Sequence, residues 1–130
     1  MIATIYFIIF LTPYFAAPDG PPKTFNVTVT SSTILTVNLS QPEDDLMNGI
    51  IRGYKVFYTE CDEFGNAIGS EMMIDFEHGG QDNTIGEIRY LKQYTWYTLK
   101  ALSYTSIGNG PNTSHVEIIR TLEDGEKNSF

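Results

Sequence analysis

Residues 50–60, Ile-Ile-Arg-Gly-Tyr-Lys-Val-Phe-Tyr-Thr-Glu, alternate with a period of two: Tyr54, Val56 and Tyr58 share one face, and Phe57 leans out on the other. Successive side chains of an extended chain point to opposite sides, so this pattern predicts a strand with one buried face. Its aromatic and β-branched residues suit a pleated, half-buried surface.

The same period recurs on both sides of this stretch. Upstream, FNVTVT (25–30) sets Phe25, Val27 and Val29 against Asn26, Thr28 and Thr30, and TILTVNLS (33–40) sets Leu35, Val37 and Leu39 against Thr36, Asn38 and Ser40. Ser31-Ser32 turns the chain between them, and the polar loop QPEDDLMNG (41–49) closes on Asn48-Gly49. Downstream, the turn region CDEFGNAIG (61–69) leads to EMMIDF (71–76), a fourth strand, and then to the loop EHGGQDN (77–83). Ile85, Ile88 and Leu91 mark a short fifth strand. In TWYTLKALSY (95–104), Tyr97, Leu99, Ala101 and Ser103 share one side, and after the loop SIGNGPNTS (106–114) the last strand is HVEIIRT (115–121). About seven strands with turns about every ten residues predict an all-β sandwich of two sheets, although spacing alone also admits a small barrel.

The bulk properties narrow the function. A chain of 130 residues accommodates one domain with a real core and not two. Its formal net charge of −8 repels phosphate backbones and anionic membranes, which sets nucleic-acid binding aside. Cys61 is the sole cysteine, so neither an intrachain disulfide nor a multi-cysteine zinc site can form. Its plain reading is a half-buried thiol. His78 and His115 are the only histidines, and neither stands in a nucleophile–base pattern. Gly108-Asn109-Gly110 runs into Pro111 and a strand, not into a helix that would hold a phosphate. The acidic runs Glu43-Asp44-Asp45 and Asp75-x-Glu77 lack the ligand spacing of a calcium loop and read as solvated. Neither enzyme activity, nor a cofactor, nor a metal site is expected.

Four stretches, in order, resemble the fibronectin type III family over roughly residues 21–122. They are Pro21-Pro22 ahead of FNVTV; NGIIRGYKVFY (48–58); LKQYTWYTL (91–99); and Gly108-Asn109-Gly110-Pro111 with Thr121. The resemblance implies an immunoglobulin-like, seven-stranded antiparallel sandwich. It gives Leu91 and Tyr97 the roles of a tyrosine corner, with the ring inside and the hydroxyl bonded to the chain upstream. It places Leu39, beside Tyr54 and Leu99, where the family usually has tryptophan, and Gln93 where proline is common. It also implies a non-catalytic extracellular protein-interaction module, of the kind found in tandem arrays of adhesion molecules, matrix proteins and receptor phosphatases. The expected partners are other proteins, including neighbouring domains of the same family. Two other roles stay open: a passive spacer, and an accessory domain of an enzyme whose catalytic part lies elsewhere.

The ends and the surface carry further expectations. Ile2 to Leu11 is almost wholly apolar, too short for the ~20 residues of a stable membrane span and suited to a secretory leader. Residues 1–17 are therefore read as a signal peptide, 18–122 as the domain, and 123–130 as a polar tail or truncated linker, with a secreted or extracellular location. The first basic residue is only Lys23, so a first strand, a buried segment or mis-assigned coding sequence remain alternatives for 1–17. Asn26, Asn38 and Asn112 each head an N-x-Ser/Thr glycosylation signal, the first two on the outward phase of their strands. Phe57, Leu102 and Tyr104 lean outward from the third and sixth strands, which are neighbours in this fold, and are expected to form one apolar patch. Ile107 and Asn109, in the loop 106–110, are the other expected partner contacts.

Overall fold

Each alternating run becomes a strand in the computed structural model, which describes residues 15–80 and 82–124. The strands are β1 (Thr24–Val29), β2 (Leu35–Ser40), β3 (Gly53–Cys61), β4 (Met72–Glu77), β5 (Asn83–Ile88), β6 (Trp96–Tyr104) and β7 (Glu117–Arg120). They form two antiparallel sheets, β1-β2-β5 and β4-β3-β6-β7. The result is a sandwich; the barrel alternative is gone.

The strand edges move by a few residues from the sequence expectation, for local reasons. Asn48 and Gly49 turn the chain with φ of 58° and 153°, and β3 pairs only from Gly53, three residues after the expected start. Tyr90 has φ of 62°, which separates Leu91 from β5. The polar loop before β3 holds a single 3₁₀ turn, Asp44–Leu46, that alternation could not signal.

The two inner faces supply the core. Leu35, Val37 and Leu39 of β2, Tyr54 and Val56 of β3, Ile88 of β5, and Leu99 and Ala101 of β6 are fully buried. Their alternation with half-exposed neighbours is the sequence period made physical: a strand packed on one face needs apolar groups at every second position. Phe25, Val27, Ile74 and Phe76 pack around this cluster. Gly86 faces Val37 across β2–β5, and a Cβ built on it would collide with the Phe76 ring. Gly86 thus leaves room for an aromatic side chain from the opposite sheet.

The turn into β6 is locked by three side-chain hydroxyls. The Lys92 N–H donates to the Tyr97 hydroxyl oxygen at 2.9 Å. Thr121, at the end of β7, accepts from the Thr95 N–H at 3.0 Å and donates to the Lys92 carbonyl at 2.7 Å. The Thr95 hydroxyl donates to the Gln93 carbonyl at 2.7 Å, a backbone acceptor that a proline at this position would also offer. Leu91 and Tyr97 are both buried, and the Tyr97 ring meets the Tyr58 ring edge-on at 6.4 Å between centroids. Replacing Tyr97 by Phe keeps the ring and strands the Lys92 N–H. We expect Tyr97→Phe to cost about 1–2 kcal/mol of unfolding free energy in urea titrations; an unchanged midpoint and slope would show that this bond adds nothing.

Candidate functional site

The outer face of the four-stranded sheet is set by the β3–β6 register, which pairs Phe57 with Lys100, Lys55 with Leu102, and Gly53 with Tyr104. The expected apolar patch does not form there. Leu102 points to this side but is only 6% exposed. It lies in an inner strand of the sheet, between β3 and the loop 109–113, whose Gly110 and Thr113 N–H groups bond to the Ser103 and Ala101 carbonyls on either side of it. Tyr104 donates its hydroxyl to Asp75 at 2.7 Å, and a Cβ on Gly53 would meet that hydroxyl at 2.6 Å. The glycine lets the ring lie flat across β3. The Lys55 ammonium stands 5.3 Å from the Tyr104 ring centre, and Lys100 stands 5.9 Å from that of Phe57. Arg120 covers Tyr94 and Trp96 at 3.9 and 5.1 Å. Phe57 and Tyr104 are half-buried under cations, an arrangement worth ~0.5–1 kcal/mol per pair at exposed sites.

Three exposed apolar groups meet at the end of the sandwich where the chain enters. Phe15, Ile50 and Ile107 are 57%, 64% and 64% exposed and line one small cleft. They come from three segments tied by hydrogen bonds. The Ala16 N–H donates to the Asn48 carbonyl at 2.8 Å, and Asn48 Nδ2 donates to the Ala17 carbonyl at 3.1 Å. Thr105 donates its hydroxyl to the Ala16 carbonyl at 2.8 Å and accepts from the Ile107 N–H at 3.2 Å. Asn48, with φ of 58°, turns the β2–β3 loop so that it can reach the entering chain. Asn109 is exposed on the same loop as Ile107 and bridges to Tyr104 through its backbone.

Of the partner contacts expected from sequence, Ile107 lines this cleft and Asn109 lies further along the same loop, outside it. Phe15 falls in the expected leader, and Ile50 in the expected strand 50–60, but β3 begins three residues later. The leader expected over 1–17 lies outside the described residues as far as residue 14. Its last three residues, 15–17, lie against the body of the domain.

The other singled-out residues are spread over the molecule. Asn26 is exposed on β1, Asn38 is half-buried in β2, and Asn112 is exposed in the β6–β7 loop. The Tyr54 hydroxyl shares a hydrogen bond with His78 Nδ1 at 3.1 Å, and burial pushes its pKa up to about 12. Tyr104 is also pushed up to about 12, first by desolvation and then by Asp75. Burial, with Asp62 and Glu60 adding to it, raises the Cys61 thiol, so the thiolate is disfavoured. Among the described residues, His, Cys, Asp and Glu form no group of three or more placed to hold a metal ion, and no helix is long and apolar enough to cross a membrane.

Comparison with known proteins follows the same outline. The family model described as "Fibronectin type III domain" matches residues 20–119. The chain is 36% identical over 109 residues to "Cell adhesion molecule DSCAM" of Rattus norvegicus, covering 84% of this chain. It is 35% identical over 107 residues to "Protein sidekick-1" of Gallus gallus, covering 82%. It spans 5% of the length of each of these relatives. Among solved structures it resembles the third fibronectin III domain of human KIAA0343 protein, with a TM-score of 0.69 and 20% identity over 92% of this chain and 94% of that one. It also resembles chicken CNTN1 FN1–FN3 domains, with a TM-score of 0.62 and 21% identity over 82% of this chain and 32% of that one.

Two outcomes follow from this geometry. A chain beginning at Pro18 loses the bonds of Ala16 and Ala17 to Asn48 and Thr105, and should be less stable by about 1–3 kcal/mol in thermal melts; an unchanged melting temperature would mean that 15–17 add nothing to the fold. The raised tyrosines give the second. Each binds its proton more tightly folded than unfolded, so their contribution is complete below about pH 10 and is lost as pH rises from 10 towards 12. Unfolding free energy measured across that window should fall less steeply for Tyr54→Phe and Tyr104→Phe than for the parent, and equal slopes would contradict the assignment.

Proposed function

The chain belongs to the fibronectin type III family, and on that footing we propose that it is a non-catalytic, extracellular protein-interaction module of the cell-adhesion type, working as one unit of a longer array. The likeness to an adhesion molecule and to sidekick-1, of each of which the matched segment is 5%, supports the adhesion setting. The partner class is other proteins, neighbouring domains of the same family included.

One observation carries the reading: the exposed cluster of Phe15, Ile50 and Ile107 at the entry pole, a reading in which residues 15–17 stay on the secreted chain and any leader ends before Phe15. Three large apolar side chains held at a common cleft by a hydrogen-bonded frame make a preorganised contact, which lowers the ordering cost of association. Apolar residues clustered like this mark contact surfaces more often than isolated ones do. On the outer face of the four-stranded sheet the rings of Tyr104, Phe57 and Tyr94 already carry lysine or arginine, which leaves Met73 and Ile118 as its exposed apolar groups. A passive spacer has no use for such a cluster and predicts no saturable binding.

The test uses beads coated with the secreted protein and a layer of cultured neural cells. Adherence should saturate, and the double variant Ile50→Glu, Ile107→Glu should reduce it about tenfold or more, the effect of losing ~1.4 kcal/mol of binding. Both positions are exposed, so the melting temperature should hold. Full adherence by that variant, or adherence that never saturates, would remove the proposal.

A further inference from the structure

The outer face of the three-stranded sheet has a composition unlike the rest of this acidic molecule. The register stacks three rows on it: Thr24–Ser40–Asn83, Asn26–Asn38–Ile85 and Thr28–Thr36–Glu87. One of these nine side chains is charged, and Glu87 is paired with Arg89, just past the end of its strand. Seven of the others are Ser, Thr or Asn. Ile85, in the middle row, is 69% exposed. Hydroxyls and amides around one exposed apolar side chain suit a sugar, whose rings present hydroxyls at the rim and C–H groups on the face.

Two glycosylation signals meet in that middle row. Asn26 and Asn38 are direct cross-strand partners. The Cβ atoms of such a pair lie only about 4.5–5.5 Å apart. Two glycans on this pair would start from nearly the same point of the sheet. The positions are also unequal. Asn26 is exposed on β1, at the edge of the sheet. Asn38 is half-buried in β2, the middle strand, between Asn26 and Ile85, and its Oδ1 is covered and has no protein partner. The neighbouring Ser40 Oγ is covered and unpartnered in the same way.

We propose that Asn26 is the N-glycosylated member of this pair, that Asn38 stays unmodified, and that the glycan lies across the three-stranded sheet with its first sugars over Asn38, Ser40 and Ile85. The transfer needs a lipid-pyrophosphate-linked oligosaccharide donor, supplied with its transferase by the secretory pathway. Asn26 Nδ2 bonds to C1 of the donor sugar, the bond from C1 to the pyrophosphate oxygen breaks, and the amide gives up one proton as the lipid pyrophosphate leaves. Ile85, largely exposed, then packs against a sugar ring. A glycan placed there covers the sheet that the adhesion contact does not use.

This assignment rests on the extracellular reading, so the experiment guarantees entry to the secretory pathway. The full chain is expressed in eukaryotic cells behind a heterologous leader, with Asn112→Gln to leave only the facing pair. Enzymatic release of the sugar converts a modified asparagine to aspartate, which peptide mass spectrometry locates. The expected result is aspartate at 26 and asparagine at 38. Asn38→Gln should keep the glycan, and Asn26→Gln should lose it. Sugar on Asn38, on both residues or on neither would overturn the proposal. Adherence of the bead-bound protein is read separately: an unmodified Asn26 in protein that still adheres defeats the glycan assignment alone.

Discussion

Nine consecutive residue pairs join β3 to β6, from Gly53–Tyr104 to Cys61–Trp96, and this ladder decides what the rest of the molecule can do. It is the longest pairing in the structure, and it lies at the centre of the larger sheet. Its register sends Tyr54, Val56, Leu99 and Ala101 inward and Lys55, Phe57, Lys100 and Leu102 outward. A slip of one residue would exchange the two sets and put lysines into the core. The turn before β6 protects that register. The Tyr97 hydroxyl and Thr121 both hold Lys92, so the strand starts at one place only.

The surface divides as a consequence. On the outer face of the four-stranded sheet, aromatic rings alternate with long cations that lie on them. The three-stranded sheet, whose β1 and β2 pair residue for residue, presents hydroxyls and amides. The four-stranded face also carries Met73, half exposed opposite Phe57, and Ile118, exposed on β7. At the entry pole Asn48 and Thr105 bind the incoming backbone and leave Phe15, Ile50 and Ile107 no interior to enter. Under the proposed function, the contact sits at this end of the sandwich, where one domain of an array would meet the next.

Much of the fold was legible in the sequence because period-two alternation reports burial directly. Tyr54, Val56, Val37 and Leu99 follow it and are fully buried. What alternation cannot report is what covers an outward side chain. Leu102 is outward by phase and buried in fact, because neighbours on both sides of β6 close over it. Asn38 is outward too, yet its position in the middle strand leaves its oxygen covered, which only the sheet order reveals. The fit of Phe76 over Gly86 joins residues of different sheets and has no local sequence signature. The entry cluster was half visible: Ile107 stood out in a Gly/Asn loop, while Phe15 and Ile50 were absorbed by the leader and the strand beside them.

The central claim is that the sheets are scaffold and the entry pole is the contact surface. Amide hydrogen exchange of the secreted protein, free and bound to cell membranes that support its adherence, tests this most directly. Residues 53–61 and 96–104 should exchange slowest and equally in both states, since their bonds break only on global unfolding. Binding should add protection at residues 48–52 and 105–109. Added protection confined to the strands of either sheet, with the pole unchanged, would contradict the account.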